Sequence, residues 1–366
     1  MINNKISAGS FAAVLALSRV FTEVSSLPWE HTEYGMQRFT AVILSFLLTG
    51  AVYIPAAAAI KHCGGESPIT VIAGRSKLLS GFTGVLLSVF LLTAAAETGL
   101  RSHYYASVTV LDYAPPLYFC VTAGTALLFA VHKGLEASVR TGTIAAAIFV
   151  LLLVLIICAL AGEFHTERLY PAFTDRPETL WSEVIKEFSR NSEFLIFAVL
   201  CGNVSSKALR TVPLYLGGSC LTILLMTFMY NTVFGHLTSR LMFPFYTLSS
   251  ISDITLLHRL NGIDVTVWIM AGILKTALFS LSFGNIVRVC FGCSKAADIA
   301  SLLFGAAALA LSELFTVIPA LTGTAARICG SGVPLMCAAL FLPAAALLCS
   351  PKSDVRTGGA GKGTAA

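Results

Sequence analysis

The amino-acid sequence predicts an all-α polytopic membrane protein, and two properties of the chain indicate this class. Hydrophobic residues make up 56% of the 366 positions and charged residues 12%, with a mean hydropathy of +0.81. A soluble domain usually has about 25% charged residues, roughly twice this share. The apolar residues also gather into long runs, and a helix needs about 20 such residues to cross the hydrocarbon core of a bilayer.

The apolar runs divide one transmembrane domain, residues 1–350, into ten predicted membrane spans. The first run is interrupted by Arg19 and is followed by further spans, so we interpret it as an uncleaved span and not as a signal peptide. The hydrophilic segment 351–366 is predicted to be a disordered cytoplasmic tail. The ten spans are expected near residues 8–28, 38–60, 78–100, 115–132, 141–161, 193–209, 212–234, 265–287, 298–320 and 332–350.

The charges in the loops favour ten spans over eleven. An eleventh candidate, residues 241–257, is short and contains Pro244 and Asp253. With ten spans and a cytoplasmic N-terminus, Lys and Arg are in excess on the cytoplasmic side, whereas an eleventh span reverses that excess. We therefore expect both termini in the cytoplasm and residues 236–263 on the outer face. Residues 162–190 are also expected outside, where TLWSEVIKEF has the pattern of a short amphipathic surface helix.

Two of the predicted spans are interrupted by polar residues. Ten spans form two halves of five, and an odd number per half makes the halves inverted relative to each other. In inverted-repeat transporters the first span of each half is often broken near the substrate site. Close helix packing at small residues is the alternative explanation. The interrupted first and sixth spans give eight candidate ligand-binding residues: Thr22, Glu23, Val24, Ser25, Leu200, Cys201, Gly202 and Asn203.

Several charged residues fall inside the predicted spans, where a charge is costly and is usually functional or paired. Arg19 and Glu23 are four residues apart, so they share a helix face and can neutralise each other. Lys275 has no acidic residue in its own span and must find a partner on another one. Glu97 lies near the outer end of its span, and Glu313 lies within the ninth span.

Other functional classes have little support in the sequence. Lys and Arg occur singly in short loops, without the basic runs of nucleic-acid-binding proteins. The pair Cys290 and Cys293 has metal-like spacing but no second pair nearby. The motifs His-Glu-x-x-His and Gly-x-Ser-x-Gly are absent. We therefore expect no enzymatic activity, no cofactor, no bound metal and no nucleic-acid partner.

The sequence resembles the spore germination permease family, the membrane-embedded B subunits of germinant receptors, within the amino acid–polyamine–organocation superfamily. The resemblance is carried in order along the chain by ISAGSFAAVLALSRVFTEVSSLP, by HKGLEASVRTGTI, by RLYPAF, and by LMFPFYTLSSISDITLLHRLNGIDVTVWIMAGILK. It implies a LeuT-like fold of ten helices in two inverted five-helix repeats, with helices one and six broken. It also implies a small amino-acid-like ligand and assembly with a soluble-domain subunit and a lipoprotein subunit in the spore inner membrane.

These observations lead to one hypothesis of function and three alternatives. The leading hypothesis is a germinant-receptor membrane subunit that senses a small amino-acid-like ligand. The ligand's carboxylate is expected on backbone amides of the broken first span and its ammonium on Glu23, with Leu200–Asn203 closing the other side. Lys275 is hypothesised to occupy the position of a coupling cation. An ion-coupled amino-acid permease is the runner-up; a membrane enzyme and a purely structural subunit are the remaining classes.

Overall fold

A computed structural model describes residues 6–26, 36–110, 116–169, 177–205, 208–252 and 260–349. Within these ranges the chain is almost entirely helical, with one isolated parallel bridge between Ile6 and Val204. The α-helices are α1 Ala8–Val24, α2 Met36–His62, α3 Pro68–Arg75, α4 Lys77–Thr109, α5 Pro116–Ala159, α6 Pro177–Ser189, α7 Glu193–Leu200, α8 Thr211–Val233, α9 Pro244–Ile251, α10 Leu260–Phe291, α11 Ser294–Val317, α12 Pro319–Gly330 and α13 Val333–Cys349.

Six of the helices in the described ranges are long and apolar enough to cross a membrane: α2, α4, α5, α8, α10 and α11. The predicted number of ten spans remains a prediction, since α1 and α13 have 17 residues each and α7 has eight. The short helix α9 is the part of the eleventh candidate that the structure describes. Its eight residues are fewer than the about 20 that a span needs, and the choice of ten spans over eleven stays a prediction.

Helix α5 contains two predicted spans, which turn back on each other at Gly134. This residue has a φ of 84° and a ψ of −176°, a conformation that favours glycine. The hydroxyl of Ser138 donates to the carbonyl of Ala130 at 3.4 Å, although the two residues are eight positions apart. In a straight helix that separation is about 12 Å, so the chain reverses here. The reversal coincides with the predicted connection between spans four and five.

Helix α1 lies at the centre of the bundle and packs against α5, α8 and α10. Its side chains are buried around most of its circumference, including Phe11, Leu15 and Phe21. Close contact with α5 depends on Gly142, where an added Cβ would lie 2.7 Å from the Val14 side chain. Helix α10 in turn packs against α4, α5 and α11.

One expectation about the interrupted segments is corrected by the structure. Helix α1 is continuous from Ala8 to Val24 and then ends in a turn at Ser25, so Thr22–Val24 are helical and not unwound. Residues 27 and 28, the end of the predicted first span, lie outside the described residues. The chain leaves the helical path between α6 and α7, at residues 190–192, as well as after Leu200. Helix α6 forms within the predicted stretch and has two different faces: one side packs against α2, and on the other side Trp181 is 60% exposed.

Candidate functional site

The buried charges of α1 belong to an ionic cluster shared by three helices. Glu187 of α6 accepts hydrogen bonds from Arg19 of α1, from Arg38 of α2 and from Arg190, which follows α6. Glu23 accepts from Arg38 at 2.8 Å and from Arg190 at 3.4 Å. All five side chains are no more than 8% exposed. Three cations and two carboxylates therefore fasten the ends of α1, α2 and α6 together.

A further carboxylate of α6 extends this cluster. Glu183 is fully buried and lies 3.3 Å from Arg38 and 3.0 Å from Lys186. The predicted pairing of Arg19 with Glu23 is present at 3.9 Å, but Glu187 is the closer partner of Arg19. The pairing of Arg19 with Glu23 could be predicted because both residues are in one helix. The closer contact of Arg19 is with Glu187, which follows 168 residues later in the chain.

Lys275 of α10 reaches both α1 and the start of α7. Its Nζ donates to Glu193 Oε1 at 2.6 Å, to Thr22 Oγ1 at 2.5 Å and to the Ser18 carbonyl at 3.3 Å. The hydroxyl of Ser18 donates to the same Glu193 oxygen at 2.9 Å. Glu193 Oε2 is buried and has no hydrogen-bond partner among the described residues. The prediction that Lys275 finds a partner on another span is confirmed.

A cavity of about 840 Å³ opens beside these contacts. Thr22 of α1, Ser192 before α7 and Lys275 of α10 line it and are buried, with exposures of 7%, 8% and 3%, and we call these three residues the floor of the cavity. Helices α4, α6 and α12 form its walls, and Trp181 of α6 stands at the wall with 60% of its surface exposed. The volume is that of a typical small-molecule site, about 300–1,000 Å³.

The interruption between α6 and α7 brings polar groups to the same region. Asn191 Oδ1 accepts from Arg19 Nε at 3.3 Å and from the Tyr215 hydroxyl at 2.9 Å. Its Nδ2 donates to the hydroxyl of Thr49 at 3.2 Å. Ser192 begins α7 without capping it through its side chain, and it lines the cavity. Ser192 is therefore a lining residue whose hydroxyl is not used to cap α7.

The four candidates in α1 have different environments. Thr22 lines the cavity, whereas Glu23 is held by the arginines behind the wall. Val24 is 1% exposed, and the hydroxyl of Ser25 donates to the carbonyl of Phe21 at 2.7 Å. Glu23 does not line this cavity, and the expectation that it meets a ligand's ammonium stays a prediction.

The other four candidates, Leu200–Asn203, lie at the opposite end of α1. The backbone amide of Ile6 donates to the carbonyl of Asn203 at 3.2 Å. The backbone amide of Ser205 donates to the carbonyl of Ile6 at 2.9 Å. Thr22 is 16 residues beyond Ile6, about 24 Å along a helix. Leu200 and Cys201 are buried, while Gly202 and Asn203 line a separate cavity of about 620 Å³. The two predicted groups therefore do not form one site.

The remaining predicted intramembrane charges also differ. Glu97 lines the large cavity, is 38% exposed and accepts from Arg101 at 2.7 Å. Glu313 of α11 lies 3.4 Å from His103 Nδ1 of α4 and is not part of that cavity. Glu97 is thus a candidate ligand contact, and Glu313 is a contact between two helices.

The described residues contain no group of three or more metal-ligating side chains placed to hold a metal. Cys290 and Cys293 are both unbridged, and Cys290 lies 3.2 Å from the hydroxyl of Ser80. The site consists instead of hydroxyl, ammonium, guanidinium and carboxylate groups, which suit a small polar ligand.

Sequence reasoning missed five residues of the ionic network: Arg38, Glu183, Glu187, Arg190 and Glu193. Two signals point toward them. Glu183 and Glu187 are four apart and alternate with Val184 and Phe188, so one side of α6 carries acids beside buried apolar residues. Glu193 is the first residue of α7, the most apolar of the described helices, where an unpaired acid is costly.

Comparisons with known proteins agree with this architecture. A family model described as "Spore germination protein" matches residues 31–317. Among solved structures, the fold is similar to that of a Na⁺-coupled sialic acid symporter in a substrate-bound outward-open state, with a TM-score of 0.60 and 11% identity. The similarity covers 94% of this chain and 89% of the symporter. No match was found among curated proteins. At this identity the symporter indicates a shared fold.

Proposed function

Because the chain belongs to the spore germination permease family, we propose that it is an integral membrane subunit that senses a small amino-acid-like ligand to trigger germination. The observation that carries the proposal is the cavity whose floor is formed by Thr22, Ser192 and Lys275. Helices α1, α7 and α10 meet there, so a ligand on this floor contacts three elements that come from distant parts of the chain.

The chemistry of the cavity suits a zwitterion. The hydroxyl of Ser192 and the ammonium of Lys275 are hydrogen-bond donors for the ligand's carboxylate. Glu97, which is partly exposed in the wall, is the carboxylate that we assign to the ligand's ammonium in place of Glu23. The apolar wall residues Phe90, Ala94 and Ile185 leave space for a small aliphatic side chain.

Ligand binding is proposed to act through the ionic cluster. Arg190 lines the cavity and also binds Glu23 and Glu187, so it connects the cavity to α1 and α6. A ligand changes the balance between two arrangements of the bundle only by its difference in affinity for them. The ligand would compete with Glu23 and Glu187 for Arg190 and with Glu193 for Lys275. It would therefore bind more tightly to the arrangement in which these ion pairs are open.

The finer parts of the proposal concern assembly and placement. We propose that the chain acts in the spore inner membrane with both termini in the cytoplasm, together with a soluble-domain subunit and a lipoprotein subunit. The excess of Lys and Arg in the loops on the N-terminal side supports this orientation. In that orientation the cavity opens to the outer side of the membrane.

An ion-coupled amino-acid permease is the second candidate. It is favoured by the one-sided access of the cavity, since the opposite end is tied by the hydrogen bonds between Ile6 and residues 203 and 205. One-sided access is what alternating-access transport requires. A receptor and a permease with this fold differ in turnover, not in their binding site.

Uptake and binding measured on the same proteoliposomes separate the two candidates. Radiolabelled amino acids are presented to purified protein, and Trp181 fluorescence reports occupancy of the cavity. A receptor binds the amino acid, but its vesicles take up no more label than vesicles with the Lys275→Met variant. A permease accumulates many-fold more label inside its vesicles than that variant does. Absence of both binding and uptake for every amino acid would contradict both functions.

A further inference from the structure

The charged side chains that line the large cavity are predominantly cationic. Among the described residues, five lining side chains are cations and two are acids, Glu97 and Glu178. The cations are Lys275, Arg190, Arg101, Lys186 and Arg327. The exposed fraction of the side chain is 4% for Lys275, 8% for Arg190 and Arg101 and 35% for Lys186, and Arg327 of α12 is exposed, so Lys186 and Arg327 mark the mouth of the cavity.

The carboxylates that pair with three of these cations, Lys275, Arg190 and Lys186, lie behind the cavity wall. Glu183, Glu187 and Glu193 are 0% exposed, Glu23 is 4% exposed, and none of the four lines the cavity. Lys275, Arg190 and Lys186 each contact one of these hidden carboxylates while lining the cavity themselves. The cationic groups therefore form the surface that a ligand meets, and their partners form the layer beneath it.

Such a layered arrangement produces a positive potential inside the cavity. A cleft lined by one sign of charge, with walls of low dielectric constant, concentrates the field and enriches ligands of the opposite sign. A ligand carboxylate is closer to the cations than to their hidden partners. A cationic ligand would find only Glu97, which already binds Arg101, and Glu178 at the mouth.

We infer that this cavity selects a small ligand of net negative charge, such as an acidic amino acid or a short dicarboxylate, over neutral and cationic amino acids and polyamines. The inference rests on the proposed function and specifies its ligand class. One carboxylate lies on the floor at Lys275 and Ser192. The second carboxylate lies nearer the mouth of the cavity, at Lys186, whose side chain is 35% exposed.

The test is a binding panel on the full chain in nanodiscs of zwitterionic lipid. Trp181 fluorescence is titrated with glutamate, succinate, alanine, lysine and putrescine at one ionic strength. A Trp181→Phe variant, which removes the reporter, separates cavity signals from those of the other tryptophans. We expect glutamate or succinate to bind at least tenfold more tightly than alanine, with no saturable response to lysine or putrescine. Raising the salt concentration should weaken the anionic ligands most.

Charge variants at the mouth test the electrostatic origin of the selectivity. Arg327→Gln and Lys186→Gln should each weaken glutamate binding by roughly two- to fivefold, the effect of removing one partly exposed charge, and leave alanine nearly unchanged. Arg327→Glu should weaken it further. Arg75→Gln, which removes an exposed charge at the end of α3 outside the cavity, is the matched control.

The possible outcomes separate a failure of the anionic selectivity from a failure of the proposed ligand sensing. Equal or tighter binding of alanine, lysine or putrescine overturns the anionic selectivity and leaves ligand sensing standing. If the charge variants change glutamate binding no more than Arg75→Gln does, the electrostatic explanation is wrong. If no ligand in the panel or among the common amino acids changes the fluorescence or the melting temperature, both the inference and the proposed function fail.

Discussion

Lys275 Nζ lies 2.6 Å from Glu193 Oε1, which joins α10 to the start of α7 at the floor of the cavity. Both side chains are almost completely buried, at 4% and 0% exposure. Removing one member of a buried ion pair leaves the other charge uncompensated and typically costs about 3–5 kcal/mol. This pair is therefore important for stability as well as for binding.

The double variant Lys275→Met with Glu193→Gln should separate these two roles. We expect Lys275→Met alone to lower the free energy of unfolding by about 3–5 kcal/mol and the double variant to recover most of that loss. Both should lose the ligand response. Unfolding in SDS and Trp181 fluorescence are the measurements, and a double variant no more stable than Lys275→Met would contradict the pairing.

Glu187 should be far more important for stability than an exposed glutamate in an ion pair of the same kind. Glu187→Gln leaves Arg19, Arg38 and Arg190 without their shared carboxylate and is expected to cost about 3–5 kcal/mol. The control is Glu136→Gln: Glu136 pairs with Arg140 at 2.5 Å, but both are exposed, so the expected change is about 0–1 kcal/mol. Equal effects on the unfolding midpoint would show that the cluster is not stabilising.

The contact between α1 and α5 should not tolerate a side chain at Gly142. An added methyl group would lie 2.7 Å from Val14, and overpacking of this kind usually costs about 1–3 kcal/mol. Gly81→Ala is the matched control because nothing lies within 4 Å of its added Cβ, and alanine is the better helix former. Thermal melting should fall for Gly142→Ala only, and Val14→Ala should partly restore it.

Asp264 should hold α9 against the bundle. Its carboxylate accepts from Trp268 Nε1 at 2.6 Å, from the Ser249 hydroxyl at 3.1 Å and from the Tyr105 hydroxyl at 3.3 Å. In Asp264→Asn the amide nitrogen faces donors, so at least one of these bonds is lost. Hydrogen exchange of residues 244–251 should become at least several-fold faster, while exchange of α8 stays unchanged. Unaltered protection of α9 would show that apolar packing alone holds it.

The sequence predicted the helical class, the family and the reversal in α5 because each depends on local composition or on short motifs. It also required a distant partner for Lys275, since a lone charge in an apolar run has no local solution. Glu193 could not be named as that partner, because the two residues are 82 positions apart. Pairing of this kind is a property of the folded bundle.

The same limit applies to the acids of α6. The sequence indicates an amphipathic helix here, but it does not indicate that Glu183 and Glu187 lie on the buried side of that helix. In the fold they are buried, because Arg19 and Arg38 approach from helices about 150 residues earlier. Burial of a charge depends on the sum of charges in three dimensions, which no sequence window contains.

The reversal of α5 at Gly134 couples two helices that otherwise meet at the cavity floor. The arm before Gly134 packs through Phe119 and Leu127 on α10, and the arm after it packs through Phe149 on the α1 cluster. Gly134 is the residue of α5 with non-helical φ and ψ angles, so the connection between the two arms is short. We therefore expect a tilt of α1 to move α10 through α5, so that the two helices that meet at Lys275 move together.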